Sequence, residues 1–478
     1  MTANSAFSVF KEKYSSDIRF WILLFLVIRL YGITDPPLEI AHNWRQVTGD
    51  MVARNFYEVD ANILYPRLDI GGEKTGITGT EFSVLNYLIY VLSLFFGFHD
   101  WFGRLINLIV SSAGVLYFYK LLKFKFDEKF SFTAAIILLT SMWFMFSRKT
   151  MPDTFSTSLV IISLYFAFDF FKTSKRSSAI LYFVCVTLGV LSKIPAIYLL
   201  MILCFPLFDK NVLLKNKLWI SFFTVLMLVP VYWWYFSWVP YLVAEFGFEH
   251  YYMGTSFANG LHEIATNIQP TLEKFYFDVF KFIGFVVCIA GLFLSILKKE
   301  KSVLLIAGVC SFAFAIFMLK AGRNFYHHSY YIVPFVPIMS LFVAYAMGFI
   351  KNKMLYMFIL VAIVGESIAN QQHDFFIKKS EVYKLSLKAI ANSVSEPADL
   401  IAINGGKNPQ LMYFTHRKGW TMEAEQMKEE FYLIDIVNKG CKYLFLDKHT
   451  ASLASISTKI KYSKVFENED FIVLSLRN

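Results

Sequence analysis

The sequence predicts an all-α polytopic membrane protein that carries a small α/β domain at its C-terminal end. The chain of 478 residues has a mean hydropathy of +0.49 and only 17% charged residues, well below the roughly 25% of soluble domains. Apolar runs of membrane-spanning length recur between residues 18 and 368. After residue 368 the pattern changes to short apolar strands and an amphipathic helix. These three observations define the predicted fold class.

About eleven apolar segments are predicted to span the membrane. They are residues 18–34, 104–121, 131–147, 156–171, 178–193, 195–208, 217–239, 276–297, 302–319, 330–349 and 354–368. Six Lys/Arg clusters accompany them, in residues 11–19, 120–129, 172–176, 210–217, 298–301 and 351–353. The positive-inside rule places all six in the cytoplasm, and eleven spans satisfy it. The net charge of +10 therefore orients the chain in a membrane, and we expect no nucleic-acid partner.

This topology depends on two short segments. Residues 82–98 are predicted to lie in the outer membrane interface without crossing, because a crossing would turn five of the six clusters outward. Residues 178–208 are predicted to cross twice for the same reason. The first outer loop is then residues 34–103, the second is residues 240–275, and the C-terminal domain lies outside.

The first span follows "MTANSAFSVFKEKYSSDIR" and has no small-residue cleavage site after it, so it is predicted to remain as an anchor. Four cysteines lie in apolar segments without C-x-x-C spacing. They are Cys185, Cys204, Cys288 and Cys310. They are predicted to be packing residues rather than disulfide or metal-binding residues.

The C-terminal domain is predicted from three strand patterns and one helix pattern. The segments "ADLIAINGG", "CKYLFLDK" and "DFIVLSLRN" favour strands, and "EQMKEEFYLIDIVNKG" favours a helix ended by Gly440. Gly405 and Gly406 follow the first strand without a G-x-G-x-x-G motif, so a nucleotide site there is weakly indicated. The predicted domains are residues 1–368 and residues 369–478.

Polar and aromatic residues concentrate on the predicted outer side. Each has a plainer explanation when taken singly: a lone His42 is typical of a hydrogen-bonded interface histidine, and "RNFYHHSYY" at 323–331 is typical of an interfacial aromatic belt. Asp153 follows Pro152 at the start of a span, where a carboxylate commonly caps a helix. Their concentration on one side of the membrane nevertheless favours a functional site.

Several motifs carry a resemblance to a known class. They are "HNWRQ" at 42–46 with "ARNF" at 53–56, "YPRLDIGG" at 65–72, "TEFSVLNYL" at 80–88, "FGRL" at 102–105, "RKTMPD" at 148–153, "LSKIP" at 191–195 and "HHSYYIVPFVP" at 327–337. Together they resemble the GT-C class of integral-membrane glycosyltransferases, and within it the family-39-like bacterial enzymes. Relatives include protein O-mannosyltransferases and lipid A aminoarabinose transferases. The resemblance covers roughly residues 20–340.

The resemblance implies sugar transfer from a polyprenyl-phosphate carrier to an acceptor protein, lipid A or cell-surface glycan. The reaction would occur at the outer face of a bacterial cytoplasmic membrane, with membrane lipids as further partners. A phosphate leaving group requires cationic donors, and an acceptor hydroxyl requires a carboxylate base. The predicted catalytic residues are Asp50, Glu81 and Asp153, of which Glu81 and Asp153 are also candidate ligands for a divalent metal, the only cofactor considered. The predicted substrate-binding residues are His42, Trp44, Arg45, Gln46, Arg54, Arg148, Lys193, Arg323, His327, His328, Tyr330 and Tyr331.

The first loop departs from the pattern of the class. Close relatives with the WRQ motif often carry Asp two residues after Gln, where this chain has Thr48. Asp50 lies two residues further on and is our first choice for the base.

Two other function classes stay open. A transporter or flippase should show ionisable residues in mid-span and repeat symmetry, whereas few charges lie deep in these spans and no repeat is evident. The protein could also be a non-catalytic assembly subunit, and the only argument against this is the density of polar and charged residues in the outer loops.

Overall fold

The computed structural model describes residues 17–248, 254–450 and 462–476. Lys11 and Lys13 of the first basic cluster, and part of the predicted 240–275 loop, lie outside these ranges. The described residues form two compact units. Unit 1 contains residues 17–33, 104–234 and 254–375. Unit 2 contains residues 34–103, 235–248, 376–450 and 462–476. The domain boundary at residues 368 and 369 stays a prediction.

Unit 1 is mostly helical, and unit 2 combines helices with strands. In chain order they are α1 Ile18–Arg29, α2 Asn43–Glu58, α3 Val84–Phe96, α4 Phe102–Leu122, α5 Glu128–Thr140, α6 Trp143–Phe146, α7 Pro152–Thr173, α8 Arg176–Ser192, α9 Cys204–Phe208, α10 Leu214–Trp233, α11 Val239–Phe246, α12 Phe257–Thr266, α13 Ile268–Glu273, α14 Lys281–Leu297, α15 Lys301–Ala321, α16 Arg323–His327, α17 Val336–Gly348, α18 Lys353–Gln371, α19 Leu387–Val394, α20 Gln410–Thr415, α21 Ala424–Lys428 and α22 Glu430–Asn438. Segments of 3-10 helix are Ile194–Leu203, Ser329–Phe335, Gln372–Phe375 and Lys379–Ser386, and π-helix forms at Trp234–Trp238 and Lys274–Val279.

Six helical stretches in the described part of the chain are long and apolar enough to cross a membrane. They are Phe102–Leu122, Pro152–Thr173, Leu214–Phe246, Lys301–Ala321, Ser329–Gly348 and Lys353–Phe375. A seventh candidate is Ile268–Val279 with Lys281–Leu297, which bends by 101°. The chain is therefore a polytopic helical membrane protein, as predicted.

The other predicted spans are helical but shorter than one bilayer crossing. Helix α1 has 12 residues and α5 has 13, and 13 residues rise only about 20 Å. Residues 178–208 form two helical segments, with Lys193 in an extended conformation between them. That both segments cross the membrane stays a prediction. Helix α3, within the predicted interfacial segment, also has 13 residues. Its position in the interface stays a prediction.

Unit 2 contains a five-stranded sheet of order β2-β1-β3-β5-β4. The strands are β1 Leu400–Ile403, β2 Lys418–Thr421, β3 Cys441–Asp447, β4 Ser463–Glu467 and β5 Phe471–Ser475. Strands β2, β1 and β3 are parallel, and β5 pairs antiparallel with β3 and β4. The three predicted strands are confirmed. Strands β2 and β4 were not predicted, because their sequences, KGWT and SKVFE, lack the continuous apolar run of the predicted strands.

Both faces of the sheet are covered. On one face Ile401, Phe445 and Val473 are buried, and on the other face the alternate residues pack beside α22. The predicted C-terminal helix is two helices, because the chain is extended at Glu429 between α21 and α22. Gly440 follows α22 at a positive φ of 98°, which suits the end of a helix.

Helix α2 of the first loop belongs to the same hydrophobic core as this sheet. Its residues Val47, Met51 and Phe56 are buried in one cluster with Ile401 and Phe445. The first loop and the C-terminal segment therefore fold as parts of one unit.

The loop after α2 also covers the outer edge of strand β2. The backbone N–H of Gly72 donates to the Gly419 carbonyl at 2.8 Å, and the N–H of Gly419 donates to the Asp69 carbonyl at 2.9 Å. Gly72 has a φ of +61°, and a Cβ there would lie 2.5 Å from Nε1 of Trp420. This close approach requires glycine, which explains the second glycine of "YPRLDIGG".

Candidate functional site

Helix α2 presents the predicted first-loop residues from a buried support. His42 precedes the helix in the left-handed conformation, with a φ of 64°. Trp44 is 42% exposed, whereas Gln46 and Asp50 are buried. The accessible residues therefore lie at the very start of the helix, and burial begins at Gln46.

Two polar contacts organise the first turn of α2. Arg45 forms an ion pair with Glu81, and both side chains are partly buried. The side-chain amide of Gln46 donates to the carboxylate of Glu39 at 2.9 Å, and both residues are buried. Arg45 was predicted to bind substrate and Glu81 to be a catalytic carboxylate. The structure brings the two side chains into contact.

The second half of α2 carries a buried charge network. Arg54 donates to the Asp69 carboxylate at 2.7 Å and to the Tyr413 carbonyl at 3.1 Å, and its guanidinium lies 4.6 Å from the Tyr413 ring centre. Burial lowers the pKa of Arg54, but the charges of Asp69 and Tyr413 and the Asp69 hydrogen bond outweigh this effect and raise it. Arg54 therefore stays charged and joins α2 to helix α20.

Asp50 lies in this buried part of unit 2. It is 1% exposed. The hydroxyl of Tyr413 donates to Asp100, and the pKa of Tyr413 is raised well above its usual value by burial and by the charges of Asp100 and Asp50. The catalytic role of Asp50 stays a prediction. Glu81 is more accessible than Asp50 and Glu39.

A second contact links the end of α2 to the residue after α20. Nε2 of His416 lies 2.8 Å from the Glu58 carboxylate. Burial raises the pKa of Glu58, but the hydrogen bond and charge of His416 and the charge of Arg54 outweigh burial and lower it. Glu58 is therefore ionised in the folded protein at neutral pH.

In unit 1, the segment "RKTMPD" is fixed by buried hydrogen bonds. The side chain of Asn107 donates to the carbonyls of Phe146, Lys149 and Met151 at 3.1, 2.8 and 3.2 Å. Irregular backbone at membrane depth requires such partners. The ammonium of Lys149 is buried 3.3 Å from Asp374, which indicates a structural role.

Arg148, predicted to bind phosphate, lies within protein contacts. Its guanidinium donates to the Tyr31 carbonyl at 2.6 Å and lies 4.2 Å from the ring centre of Phe375. Only 3% of Arg148 is exposed. Its predicted role in substrate binding is untested.

Predicted site residues from three separate segments of the chain contact one another at the start of α7. The Asp153 carboxylate lies 2.8 Å from Nζ of Lys193, with side-chain exposures of 1% and 10%. Nζ of Lys193 lies 4.8 Å from the ring centre of Tyr330 and 5.8 Å from that of Tyr331. The N-cap of α7 is Met151, so the alternative that Asp153 caps this helix is wrong. Asp153 still lies in the first helical turn, where the helix dipole stabilises a carboxylate.

The predicted residues Arg323, His327 and His328 lie shortly before Tyr330 in the sequence but make other contacts. His328 stacks on Tyr330, with ring centres 5.1 Å apart. Arg323 and His327 are exposed, and the backbone N–H of Arg323 donates to Glu263 at 2.6 Å. Their substrate-binding roles stay predictions.

The predicted metal ligands are both engaged by cations. Glu81 pairs with Arg45, and Asp153 pairs with Lys193. Within the described ranges, no three His, Cys, Asp or Glu side chains are grouped so that they could hold a metal ion. As they are arranged, Glu81 and Asp153 do not fit a divalent metal.

Several contacting residues were not predicted from the sequence, among them Glu39 and Asp374. Glu39 lies three residues before His42, and its position ahead of "HNWRQ" was the available signal. Asp374, the partner of Lys149, is more than 220 residues away in sequence, so only the fold identifies it.

Comparison with protein families matches residues 83–234 to the family described as dolichyl-phosphate-mannose-protein mannosyltransferase. No curated protein matches the chain. Among solved structures, ArnT from Cupriavidus metallidurans bound to undecaprenyl phosphate is similar, with a TM-score of 0.59 and 13% identity over 96% of this chain and 98% of that chain.

Two structures of the Archaeoglobus fulgidus oligosaccharyltransferase are also similar. The apo form has a TM-score of 0.58 and 12% identity over 90% of this chain and 70% of that chain. The complex of this enzyme, AglB, with an inhibitory peptide and a dolichol-phosphate has a TM-score of 0.55 and 13% identity over 90% and 69%. At these identities the likeness shows a shared fold.

Proposed function

We propose that this chain, a multi-pass membrane protein of the GT-C glycosyltransferase class, moves a sugar from a polyprenyl-phosphate-linked donor to an acceptor. The acceptor is a protein, lipid A or a cell-surface glycan, and the reaction takes place at the outer face of a bacterial cytoplasmic membrane. The observation that carries the proposal is the buried pair of Asp153 and Lys193 against the ring of Tyr330.

This arrangement supplies the groups that phosphate departure needs. The acceptor oxygen attacks the anomeric carbon, the bond from that carbon to the phosphate oxygen breaks, and polyprenyl phosphate leaves with the bonding electrons. Negative charge grows on the phosphate as it leaves, and the Lys193 ammonium stabilises it in a site with little access to water. Asp153 and Tyr330 hold that ammonium in place.

The acceptor proton needs a carboxylate within hydrogen-bond reach. We assign this role to Glu81, because its carboxylate is more accessible than those of Asp50 and Glu39. Arg45 holds Glu81 in position and also offers a guanidinium that fits phosphate oxygens in two-point contact.

The similar structures support a lipid-linked donor. ArnT was solved with undecaprenyl phosphate, and the archaeal oligosaccharyltransferase with a dolichol-phosphate. Both ligands are long-chain isoprenoid phosphates, which matches the leaving group proposed here.

The test is release of polyprenyl phosphate from a radiolabelled lipid-linked sugar by the purified full-length protein. We expect release that depends on an added acceptor, and strong loss in Lys193→Met. Lys298→Met is the matched control, because Lys298 is exposed in a distant loop. Movement of intact lipid-linked sugar across the vesicle membrane without release would indicate a flippase instead, and binding without either event would indicate an assembly subunit.

A further inference from the structure

A basic cavity lies at one end of the helices of unit 1. Its volume is about 690 Å³, within the range of small-molecule sites. The start of α1, the end of α4, the start of α5 and the end of α7 meet around it. The lining residues are Asp17, Ile18, Arg19, Leu116, Tyr119, Lys120, Lys123, Phe124, Glu128, Tyr165 and Lys172.

The cavity joins three of the six predicted cytoplasmic clusters. Arg19, Lys120 and Lys172 belong to different clusters but line one space. These clusters therefore lie on the same side of the helices, as the positive-inside argument requires. Helices α4 and α7 are long enough to cross a membrane, and the cavity lies at their ends.

Two of the four cations in the cavity are neutralised by carboxylates. Arg19 lies 2.6 Å from Asp17, and Lys123 lies 2.5 Å from Glu128. Lys120 and Lys172 have no carboxylate partner among the residues that the structure describes.

Lys172 is exposed at the end of α7, whereas Lys120 is partly buried and lies beside aromatic rings. Nζ of Lys120 lies 5.0 Å from the ring centre of Tyr117 and 5.8 Å from that of Tyr165. Each lysine lies in the last turn of its helix, and the negative end of the helix dipole stabilises a lysine at that position. This effect accounts for the position of each lysine taken singly, but it does not account for their lining the same cavity. The cavity also has apolar walls, from Leu116 and Phe124.

We propose that this cavity binds the phosphodiester head group of an anionic membrane lipid. Lys120 and Lys172 contact the phosphate, Tyr119 and Tyr165 lie beside the glycerol region, and the apolar walls contact the first carbons of the acyl chains. Basic pockets between membrane helices recognise acidic head groups by this combination of charge and apolar contact. The site is separate in function from the proposed sugar transfer, since it uses none of the residues assigned to that reaction.

The test measures lipid retention by the intact protein. Purified wild type and Lys120→Gln/Lys172→Gln are delipidated in detergent, supplied with phosphatidylglycerol or phosphatidylcholine, and analysed by native mass spectrometry. We expect the wild type to retain phosphatidylglycerol preferentially. The double variant should lose affinity by about tenfold or more, since each lysine near an anionic lipid contributes roughly one tenfold factor or slightly less. The matched control is Lys351→Gln/Lys353→Gln, which makes the same charge change in an exposed cluster and should retain phosphatidylglycerol.

Three outcomes would overturn the proposal. The first is equal retention of both lipids by the wild type. The second is equal phosphatidylglycerol retention by both double variants, with thermal unfolding confirming that they are folded. The third is displacement of the lipid by millimolar inorganic phosphate, which would identify a site for free phosphate rather than for a lipid head group.

Discussion

The buried pair of Asp153 and Lys193 gives a prediction that separates a structural ion pair from a functional one. Asp153→Asn leaves the Lys193 ammonium in a site that is only 10% exposed. Removing one partner of a buried pair costs about 3–5 kcal/mol. The rings of Tyr330 and Tyr331 offset part of this cost, so we expect a loss of stability near 3 kcal/mol.

The double variant Asp153→Asn/Lys193→Met removes both charges. It should recover most of the stability lost by Asp153→Asn, because replacing both partners of a buried pair with neutral groups is often close to neutral. Turnover should not recover. Loss of the cation that stabilises the leaving phosphate should lower turnover by about a hundredfold or more, equivalent to about 2.7 kcal/mol of activation free energy.

Stability is followed by thermal unfolding in detergent, and turnover by release of polyprenyl phosphate. Lys298→Met controls for loss of a lysine at an exposed position and should match the wild type in both measurements. A double variant that is stable and turns over at nearly the wild-type rate would refute the functional interpretation and leave a purely structural ion pair.

Four further predictions concern the first loop and the cofactor. Arg45→Lys should lower turnover on the order of tenfold or more, because an ammonium cannot make the two-point contact of a guanidinium; full turnover in a folded variant would make Arg45 structural. Glu39→Gln should lower the free energy of unfolding by about 1 kcal/mol, because the Gln46 side chain then donates to a neutral amide oxygen rather than to a carboxylate. An unchanged melting temperature would contradict this. Glu58→Gln removes a carboxylate whose folded-state pKa lies below 4.5. The ionised carboxylate contributes under about 1 kcal/mol to the free energy of unfolding, because its pair with His416 is partly exposed. This contribution is present above about pH 4.5 and is lost as the pH falls through the folded-state pKa. The difference in melting temperature from the wild type should therefore shrink as the pH falls below 4.5, and a difference that grew on acidification would be inconsistent with the lowered pKa. Turnover should survive EDTA, because the candidate metal ligands Glu81 and Asp153 are each paired with a cationic side chain. Inhibition that is reversed by added Mg²⁺ or Mn²⁺ would establish a metal requirement.

The sequence by itself determined the class of the molecule. Long apolar runs with few charges can be stable only in a membrane, and a helix satisfies its own backbone there. The continuous apolar run in "CKYLFLDK" likewise predicted strand β3, because a strand covered on both faces of its sheet buries successive side chains on both sides. The motif residues Arg45, Asp153 and Lys193 could also be selected, since their types suit phosphate chemistry and their positions follow apolar segments.

Only the tertiary structure decided how these residues pair. Lys193 lies 40 residues from Asp153 and more than 130 from Tyr330, and no local pattern encodes such contacts. The burial of Asp50 was equally hidden, because it follows from the packing of α2 against the C-terminal sheet rather than from the polarity of its neighbours. Helix lengths were also misjudged, because apolar sequence continues past the ends of α1 and α5. The carbonyls just beyond these ends accept hydrogen bonds from distant side chains, Tyr31 from Arg148 and Ser141 from Gln371. Local sequence sets hydropathy and periodicity, whereas long-range packing sets which charges are buried and which partners they meet.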